Sequence, residues 1–450
     1  MAKKEKTTFV CENCGAESPK WIGKCPACDE WNTYKEFRVG TSKRSSGNDS
    51  RKTEITKLTE ISLQKENRIP CGYSEVDRVL GGGMVYGSLI LIGGEPGIGK
   101  STLALQIALK SKNVKTLYVS GEESLRQIKL RAQRLGEEHE NIFLLNETTL
   151  EEILNHCQTF KPDVIIVDSI QTLFSDSVDS SPGSVTQVRE SATRLLKFAK
   201  ETSIPIFIIG HINKEGNIAG PKVLEHIVDV VLQFEGDHNY VYRVLRGLKN
   251  RFGSTSEIGI FEMHNDGLNE VLNPSELLVN QRDDKLSGMS IAATIDGIRP
   301  FMVEIQSLVS PSAYGTPQRS ATGFDIRRLS MLLAVLEKRL KLNLYNKDVF
   351  LNIAGGIKVV DTAVDLSIVT ALLSSVLDKP VPHNVCMAGE IGLSGEIRAV
   401  NQIENRITEA AKIGYKKIIL SEYNKITSNN FNIEIQRVKH VGDLYRTLFQ

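Results

Sequence analysis

Nine residues, Gly94-Glu95-Pro96-Gly97-Ile98-Gly99-Lys100-Ser101-Thr102, constrain this chain more than any other segment. Their order is that of a phosphate-binding loop: glycine, four residues, glycine, lysine, serine. The apolar run Ser88-Leu89-Ile90-Leu91-Ile92 precedes it, and a helical pattern from Thr102 to Ala108 follows. A strand that feeds a helix through a glycine turn belongs to an α/β domain. The glycines let successive backbone N–H groups curl around phosphate oxygens at a helix N-terminus. Lys100 offers a point charge to the outer phosphates, and Ser101 offers a hydroxyl to Mg²⁺.

The alternation of strand and helix continues from Arg68 to about Asn273. Leu89–Ile92, Thr116–Val119, Ile142–Leu145, Val164–Val167, Ile206–Ile209 and Val228–Phe234 are short apolar runs that predict buried strands of a mostly parallel sheet. Such sheets bind ligands at the carboxyl ends of their strands. Three strand ends carry polar candidates. Asp168 closes Val164–Val167 and suits a Mg²⁺ ligand. Glu122 follows Thr116–Val119 and suits a general base, with Glu123 its rival; the plainer role is a helix N-terminal acid. His211 follows Ile206–Ile209, either sensing an outer phosphate or simply facing a loop.

At 450 residues the chain has room for about three domains. Apolar runs stay far below the ~20 residues of a membrane span, and the first six residues lack the apolar core of a signal peptide. The expected address is the cytoplasm, with no membrane partner. A net charge of +1 leaves any nucleic-acid surface local. Seven cysteines in such a chain argue against a disulfide framework. Cys71, Cys157 and Cys386 read as buried thiols. The other four form two knuckles, Cys11-x-x-Cys14 and Cys25-x-x-Cys28, spaced to close a tetrahedron around Zn²⁺. Paired spacing favours structural zinc over an iron–sulfur cluster or a redox pair. A finger this short draws its folding energy from the metal. Trp21 and Trp31, both tryptophans of the chain, are expected to cover the metal as a small core; the other role is stacking on a base or a partner. A polar basic stretch from Arg38 to Glu54 reads as a flexible linker.

The order of phosphate loop, Glu122, Asp168 and His211 resembles the RecA family. With the four-cysteine finger and the string Lys249-Asn250-Arg251-Phe252-Gly253, the whole chain resembles the bacterial RadA (Sms) family of DNA repair proteins. That resemblance implies a DNA-dependent ATPase and branch-migration helicase acting on recombination intermediates. It implies ATP, Mg²⁺ and Zn²⁺ as cofactors, single-stranded and branched DNA and the RecA recombinase as partners, and a hexameric ring. In RecA-like rings ATP lies between subunits, so the resemblance casts Lys249 and Arg251 as cations delivered in trans. It also casts two polar loops, 175–184 and 213–222, as channel loops that grip DNA. Gly216 and Gly220 would give mobility, Lys214 and Lys222 would meet phosphates, and Phe174 is the one adjacent aromatic.

Residues 275–450 form a second α/β unit with stretches that resemble the proteolytic domain of Lon. Asp361 matches an acid of that motif. Val364 falls where the nucleophilic serine belongs, and Glu404 falls near the lysine. Valine has no nucleophilic atom, so the expected domain is an inactive assembly platform. Arg319, Arg327 and Arg328 are its candidate DNA contacts. The domain plan is a four-cysteine zinc finger at 1–37, a basic linker at 38–67, a RecA-like ATPase core with a mostly parallel sheet at 68–273, and a Lon-protease-like α/β domain at 274–450. Two rival functions are an ATP-switched DNA scaffold that does not translocate and an ATP-dependent protease, which Val364 opposes.

Overall fold

The computed structural model describes residues 6–11, 17–26, 29, 31–39, 57, 67–136, 138–211, 221–236, 241–278, 286–312, 317–428 and 431–450. The chain divides into two compact units. The first comprises Met1–Glu235, Leu245–Thr255 and His264–Leu268, and the second comprises Gly236–Val244, Ser256–Met263 and Asn269–Gln450. No helix among the described residues is long and apolar enough to cross a membrane.

In the first unit, the amino-terminal strand Lys6–Cys11 pairs antiparallel with Glu17–Ser18 and with Tyr34–Val39. Cys11, Cys25 and Tyr34 are buried together, with Phe9 packed against them. Trp21 and Trp31 do not complete this core. They are 53% and 67% exposed, and both rings flank Gly23 instead. The expected burial of the two indoles is not seen among the described residues: Trp21 lies at the surface and donates its indole N–H to the Tyr34 carbonyl at 3.0 Å.

The catalytic sheet is built from β1 (Leu89–Gly94), β2 (Thr116–Ser120), β3 (Ile142–Asn146), β4 (Val164–Asp168), β5 (Ile206–His211) and β6 (Val230–Glu235). Their order is β3–β2–β4–β5–β1–β6, and the pairings are parallel. Every residue of β1, β2 and β4 is buried, because helices cover both faces of a parallel sheet. The helices are α1 (Lys100–Lys110), α2 (Leu125–Leu135), α3 (Leu150–Phe160), α4 (Val185–Thr202) and α5 (Pro221–Ile227). Past β6 lies β7 (Tyr242–Asn250). All six expected strands form, but β3 is only partly buried, with Phe143 exposed. The last begins at Val230 rather than Val228, since the Val228 amide still donates to the Leu224 carbonyl at the end of α5.

The second unit carries a mixed sheet. Its strands are β8 (Met289–Asp296), β9 (Arg299–Pro311), β10 (Arg319–Thr322), β11 (Lys347–Ile353), β12 (Val385–Ala388), β13 (Lys417–Ser421) and β14 (Glu434–Val438), in the order β10–β11–β9–β8–β12–β13–β14. Strand alternation sorts the faces. Ala292, Phe301 and Val303 pack with Leu329, Leu332 and Leu366 from α6 (Ile326–Leu340) and α7 (Asp365–Leu377). Ile291, Ala293 and Met302 pack with Ile403, Ile407 and Ala410 from α8 (Ile403–Ile413). Both carboxylates that begin the α7 region are paired. Asp365 takes Arg328, whose Nε donates to Oδ1 at 2.8 Å. Asp361 takes Arg406, whose Nη1 donates to Oδ2 at 2.6 Å and to the Ala293 carbonyl at 2.7 Å. Arg328 is thus spent on the fold rather than offered to DNA. Burial pushes the Asp361 carboxyl up, but Arg406 and the amides of Ala363 and Ile295 outweigh it and hold it below the usual range.

Removing one partner of such a pair leaves a buried charge. Arg406→Ala is expected to cost about 3–5 kcal/mol at neutral pH in thermal or urea unfolding. A depressed carboxyl contributes stability above its unfolded pKa of about 3.9 and loses it as pH falls through the folded value. The deficit of the variant must therefore shrink in acid, and a constant deficit from pH 7 to 3 would refute the assignment.

Candidate functional site

Parallel register gathers one set of side chains at one edge of the first unit's sheet. His211 pairs with Gly94 across β5 and β1, and Ser120 pairs with Asp168 across β2 and β4. The carboxyl ends of four strands therefore lie side by side, and whatever follows them converges.

The phosphate loop leaves β1 at Gly94 and enters α1 at Lys100. Gly97 and Gly99 sit at φ 77° and 115°, where a side chain is strained. A Cβ on Gly94 would stand 2.6 Å from the Phe234 carbonyl oxygen, so this position excludes any larger residue. Lys100 is buried, and its Nζ donates to the carbonyls of Gly94 and Glu95, each at 2.8 Å. Burial pushes its ammonium down to about 8, against the pull of Asp168, Glu122 and Glu95. Ile98 is buried and anchors the loop, while Glu95, Pro96 and Gly97 are exposed at its crest. Ser101 and Thr102 open the first turn of α1, where amides and dipole favour anions.

The acidic groups are distinct in their ties. Asp168 is buried and accepts the Tyr118 hydroxyl at 2.7 Å. Burial and that carboxylate push the Tyr118 phenol up, which keeps it a donor. The Asp168–Ser169 peptide is cis. Glu122 accepts the Ser169 hydroxyl at 2.6 Å, so Glu122 is held beside Asp168. Glu123 instead pairs with Arg131 of α2 and is turned from the loop's lysine to that helix. Of the two neighbours, only Glu122 joins Asp168 in the field felt by Lys100. His211 closes β5 opposite Gly94 along the backbone. The donor set fits a metal–triphosphate: a carboxylate, a hydroxyl and a helix start at one strand edge.

Of the finger ligands, Cys11 and Cys25 are fully buried in one cluster, while Cys14 and Cys28 lie outside the described residues. Two buried thiols brought together from opposite ends of the finger fit a shared metal. The remaining cysteines, Cys71, Cys157 and Cys386, are buried as expected, and burial pushes the Cys157 thiol up to about 12.

At the opposite edge of the sheet stands a cationic turn. Lys249 and Asn250 end β7, and Arg251, Phe252 and Gly253 turn away. Arg68 clasps the turn, donating to the Phe252 carbonyl at 2.7 Å and the Leu80 carbonyl at 2.8 Å. Asn250 accepts the Phe252 amide at 2.9 Å. Lys249 Nζ donates to the Glu225 and Val228 carbonyls at 2.6 and 2.7 Å, at the C-terminal end of α5. Arg251 Nη1 reaches Asp229 Oδ1 at 3.2 Å. Asp229 in turn accepts the amide of Leu89, the first residue of β1. The phosphate loop leaves the last residue of β1. Lys249 and Arg251 therefore lie about 17 Å from their own loop, the length of six extended residues.

The two expected channel loops differ. Residues 175–184 are ordered around Gln187, whose amide donates to the carbonyls of Ser175, Val178 and Ser180 at 3.0 to 3.2 Å. Residues 213–220 lie outside the described residues, Lys214 among them, and of the second loop only Pro221 and Lys222, which begin α5, are placed. Sequence reasoning passed over Tyr118, Ser169, Lys200 and Asp229. Only partners brought from other strands give these residues meaning.

Residues 56–217 match the AAA domain family, residues 9–36 a rubredoxin-type metal-binding domain and residues 325–424 subunit ChlI of Mg-chelatase. The chain is 48% identical to the DNA repair protein RadA of Bacillus subtilis (strain 168), with 99% of each chain covered. It is 49% identical to that of Listeria monocytogenes over 94% of each chain, and 46% identical to that of Streptococcus pyogenes serotype M6 over 100% of each. The chain belongs to the RadA family of DNA repair proteins and carries an ATPase domain of the AAA type.

A lysine at about 8 in the site without ligand has a thermodynamic signature. Phosphates raise its pKa, so binding draws in a proton. Calorimetric titration with a non-hydrolysable ATP analogue at pH 8, in two buffers of different ionisation heat, should report uptake of about half a proton, fading toward pH 7. Identical heats in both buffers would show that Lys100 is already fully charged.

Proposed function

We propose that this RadA-family chain is a DNA-dependent ATPase that assembles into a hexameric ring in the cytoplasm and drives branch migration of recombination intermediates. The observation that carries this reading is the separation of two half-sites by the length of β1. One edge holds Lys100, Ser101, Asp168 and Glu122, and the other holds Lys249 and Arg251. Cations on the far edge serve no phosphate in their own subunit. A head-to-tail neighbour brings the two edges together, which makes hydrolysis a property of the interface.

In this reading the loop amides and Lys100 hold the triphosphate, and Thr102 adds its backbone and hydroxyl at the helix start. Ser101 and Asp168 would hold Mg²⁺, which when bound would neutralise phosphate charge. Glu122, steadied by Ser169, orients and deprotonates the attacking water. Arg251 of the adjacent subunit meets the charge that develops on the transferring phosphoryl group. Lys249 ties the same turn to α5, the helix that follows the 213–220 loop, and so links nucleotide state to a DNA-gripping segment. Cys11, Cys14, Cys25 and Cys28 hold Zn²⁺, and the exposed Trp21 and Trp31 of that finger suit recruitment of a partner such as the RecA recombinase.

The second unit has no peptidase chemistry in this reading. Val364 is wholly buried, and the Glu404 carboxylate accepts the amide and hydroxyl of Thr427 at 2.6 and 2.7 Å. Asp361, which aligns with an acid of that motif, is instead ion-paired with Arg406.

ATP hydrolysis with and without single-stranded DNA tests the proposal. The rate should rise with DNA and vanish in Lys100→Ala. Arg251→Ala should bind ATP normally yet lose roughly 10³-fold or more in kcat, the scale of an arginine finger. Glu122→Gln should lose about 10²–10⁴-fold at unchanged ATP affinity. A rate indifferent to DNA would sink the motor reading. A DNA-stimulated rate without strand movement in a branched-substrate assay would leave an ATP-switched scaffold.

A further inference from the structure

Asp229 has no place in the roles assigned above, yet it is the most heavily engaged carboxylate of the first unit's cationic edge. Its side chain is 2% exposed. Its Oδ2 accepts the Leu89 amide at 3.2 Å and the Lys200 ammonium at 2.8 Å. Its Oδ1 accepts Arg251 Nη1 at 3.2 Å. Its own amide donates to the Leu89 carbonyl at 3.0 Å, and its carbonyl accepts the Arg251 amide at 3.2 Å. One residue therefore grips the start of β1 with one side and both the backbone and the guanidinium of Arg251 with the other.

We propose that Asp229 is the positioning residue that aims Arg251 at the neighbouring subunit's nucleotide, with Lys200 as the counter-ion that allows it to do so. The inference rests on the reading of Arg251 as a trans-acting cation. A guanidinium is planar, with donors on more than one edge. Arg251 is 53% exposed, so an edge held by Asp229 leaves another turned to solvent. That arrangement fixes the direction of the side chain before a phosphate arrives, and preorganisation of this kind lowers the reaction barrier.

Lys200 answers the energetic objection. A buried carboxylate that lost its only cation would cost several kcal/mol, so a finger that was the sole partner of Asp229 could not leave it. Here Lys200 and the Leu89 amide remain on Oδ2 when Arg251 shifts toward a phosphate. Lys200 belongs to α4 and lies 5.4 Å from the Phe252 ring, so it stays beside the turn whichever way Arg251 points. Asp229 also joins the finger to β1, whose far end is the phosphate loop. The finger offered to one subunit is thereby anchored to the strand that senses the nucleotide of its own.

Mixed assemblies separate this role from a structural one. Asp229→Asn keeps the shape and an acceptor for Leu89 but removes the charge. Alone it should bind ATP within about threefold of the parent and lose about 10²-fold in DNA-stimulated kcat, the cost of misplacing a catalytic group. Lys100→Ala subunits have dead loops but intact fingers. An equal mixture of the two should recover about a quarter of the parent rate, the share of sites that pair an intact loop with an intact finger in a randomly mixed head-to-tail ring. Arg251→Ala mixed with Lys100→Ala is the control for the premise. If that control fails to complement, the trans-acting reading falls and this proposal with it. If the control complements and Asp229→Asn does not, or if Asp229→Asn alone matches the parent, the positioning role is refuted. Lys200→Gln, at a half-exposed site, serves if Asp229→Asn does not fold. It should lower kcat about tenfold and complement Lys100→Ala in the same way. A parent-like rate would remove Lys200 from the account.

Discussion

A parallel strand has a direction, and a sheet of parallel strands has two chemically different edges. The arrangement of the phosphate loop and the cationic turn in the first unit depends on that asymmetry. The carboxyl ends of β1, β2, β4 and β5 are held in line by register, so Gly94, Ser120, Asp168 and His211 arrive together although more than a hundred residues separate the first from the last. No side-chain contact has to be invented to assemble the nucleotide site; backbone pairing does it. The opposite edge inherits the strand starts, and there Leu89 and Asp229 organise a cluster of cations. A six-residue strand thus separates the phosphate loop at one end from the cluster around Asp229 and Arg251 at the other.

The second unit carries a buried ion pair in the stretch whose sequence resembles a peptidase. Asp361 and Arg406 form a buried pair whose other hydrogen bonds go to Thr294, Ile295, Ala363 and the carbonyls of Ala293 and Asn401. Buried pairs add little stability against an apolar alternative, but they punish disruption and specify one arrangement. Val364 is wholly buried in the apolar core and has no polar side-chain atom to contribute. The result is a carboxylate held by one guanidinium and two backbone amides.

The phosphate loop, the strand run and the Asp168 end were legible because each depends on local pattern: glycines at positive φ, continuous apolar runs, and a carboxylate at a strand terminus. The choice between Glu122 and Glu123 was not, since adjacent residues share their composition and differ only in partners. Ser169 from β4's end takes one, and Arg131 from α2 takes the other. The tryptophans misled for a related reason. In a finger of this size large side chains are expected inside, yet among the described residues the buried cluster is Cys11, Cys25 and Tyr34, and both indoles are exposed. Arg328 looked available for DNA because sequence hides Asp365, which waits 37 residues away. Asp229 was invisible altogether: a lone aspartate before a strand carries no signal until Leu89, Lys200 and Arg251 converge on it.

The two cations of the Lys249–Gly253 turn also prove unequal once their partners are seen. In an extended strand they would face one side and act as a pair. The turn at Arg251 breaks that equivalence. Lys249 spends its ammonium on the carbonyls at the end of α5, where a cation meets the negative end of the helix dipole. Burial and the charge of Arg251 both push its pKa down, against the pull of Asp229 and Glu225. Arg251 keeps half its surface and a carboxylate behind it. The division follows from side-chain chemistry: a compact ammonium caps a helix well, whereas a planar guanidinium can be held by one edge and still present another. One turn therefore does two jobs, fixing the helix that leads from the 213–220 loop and aiming a donor outward. It can do both only because the backbone between the two cations bends.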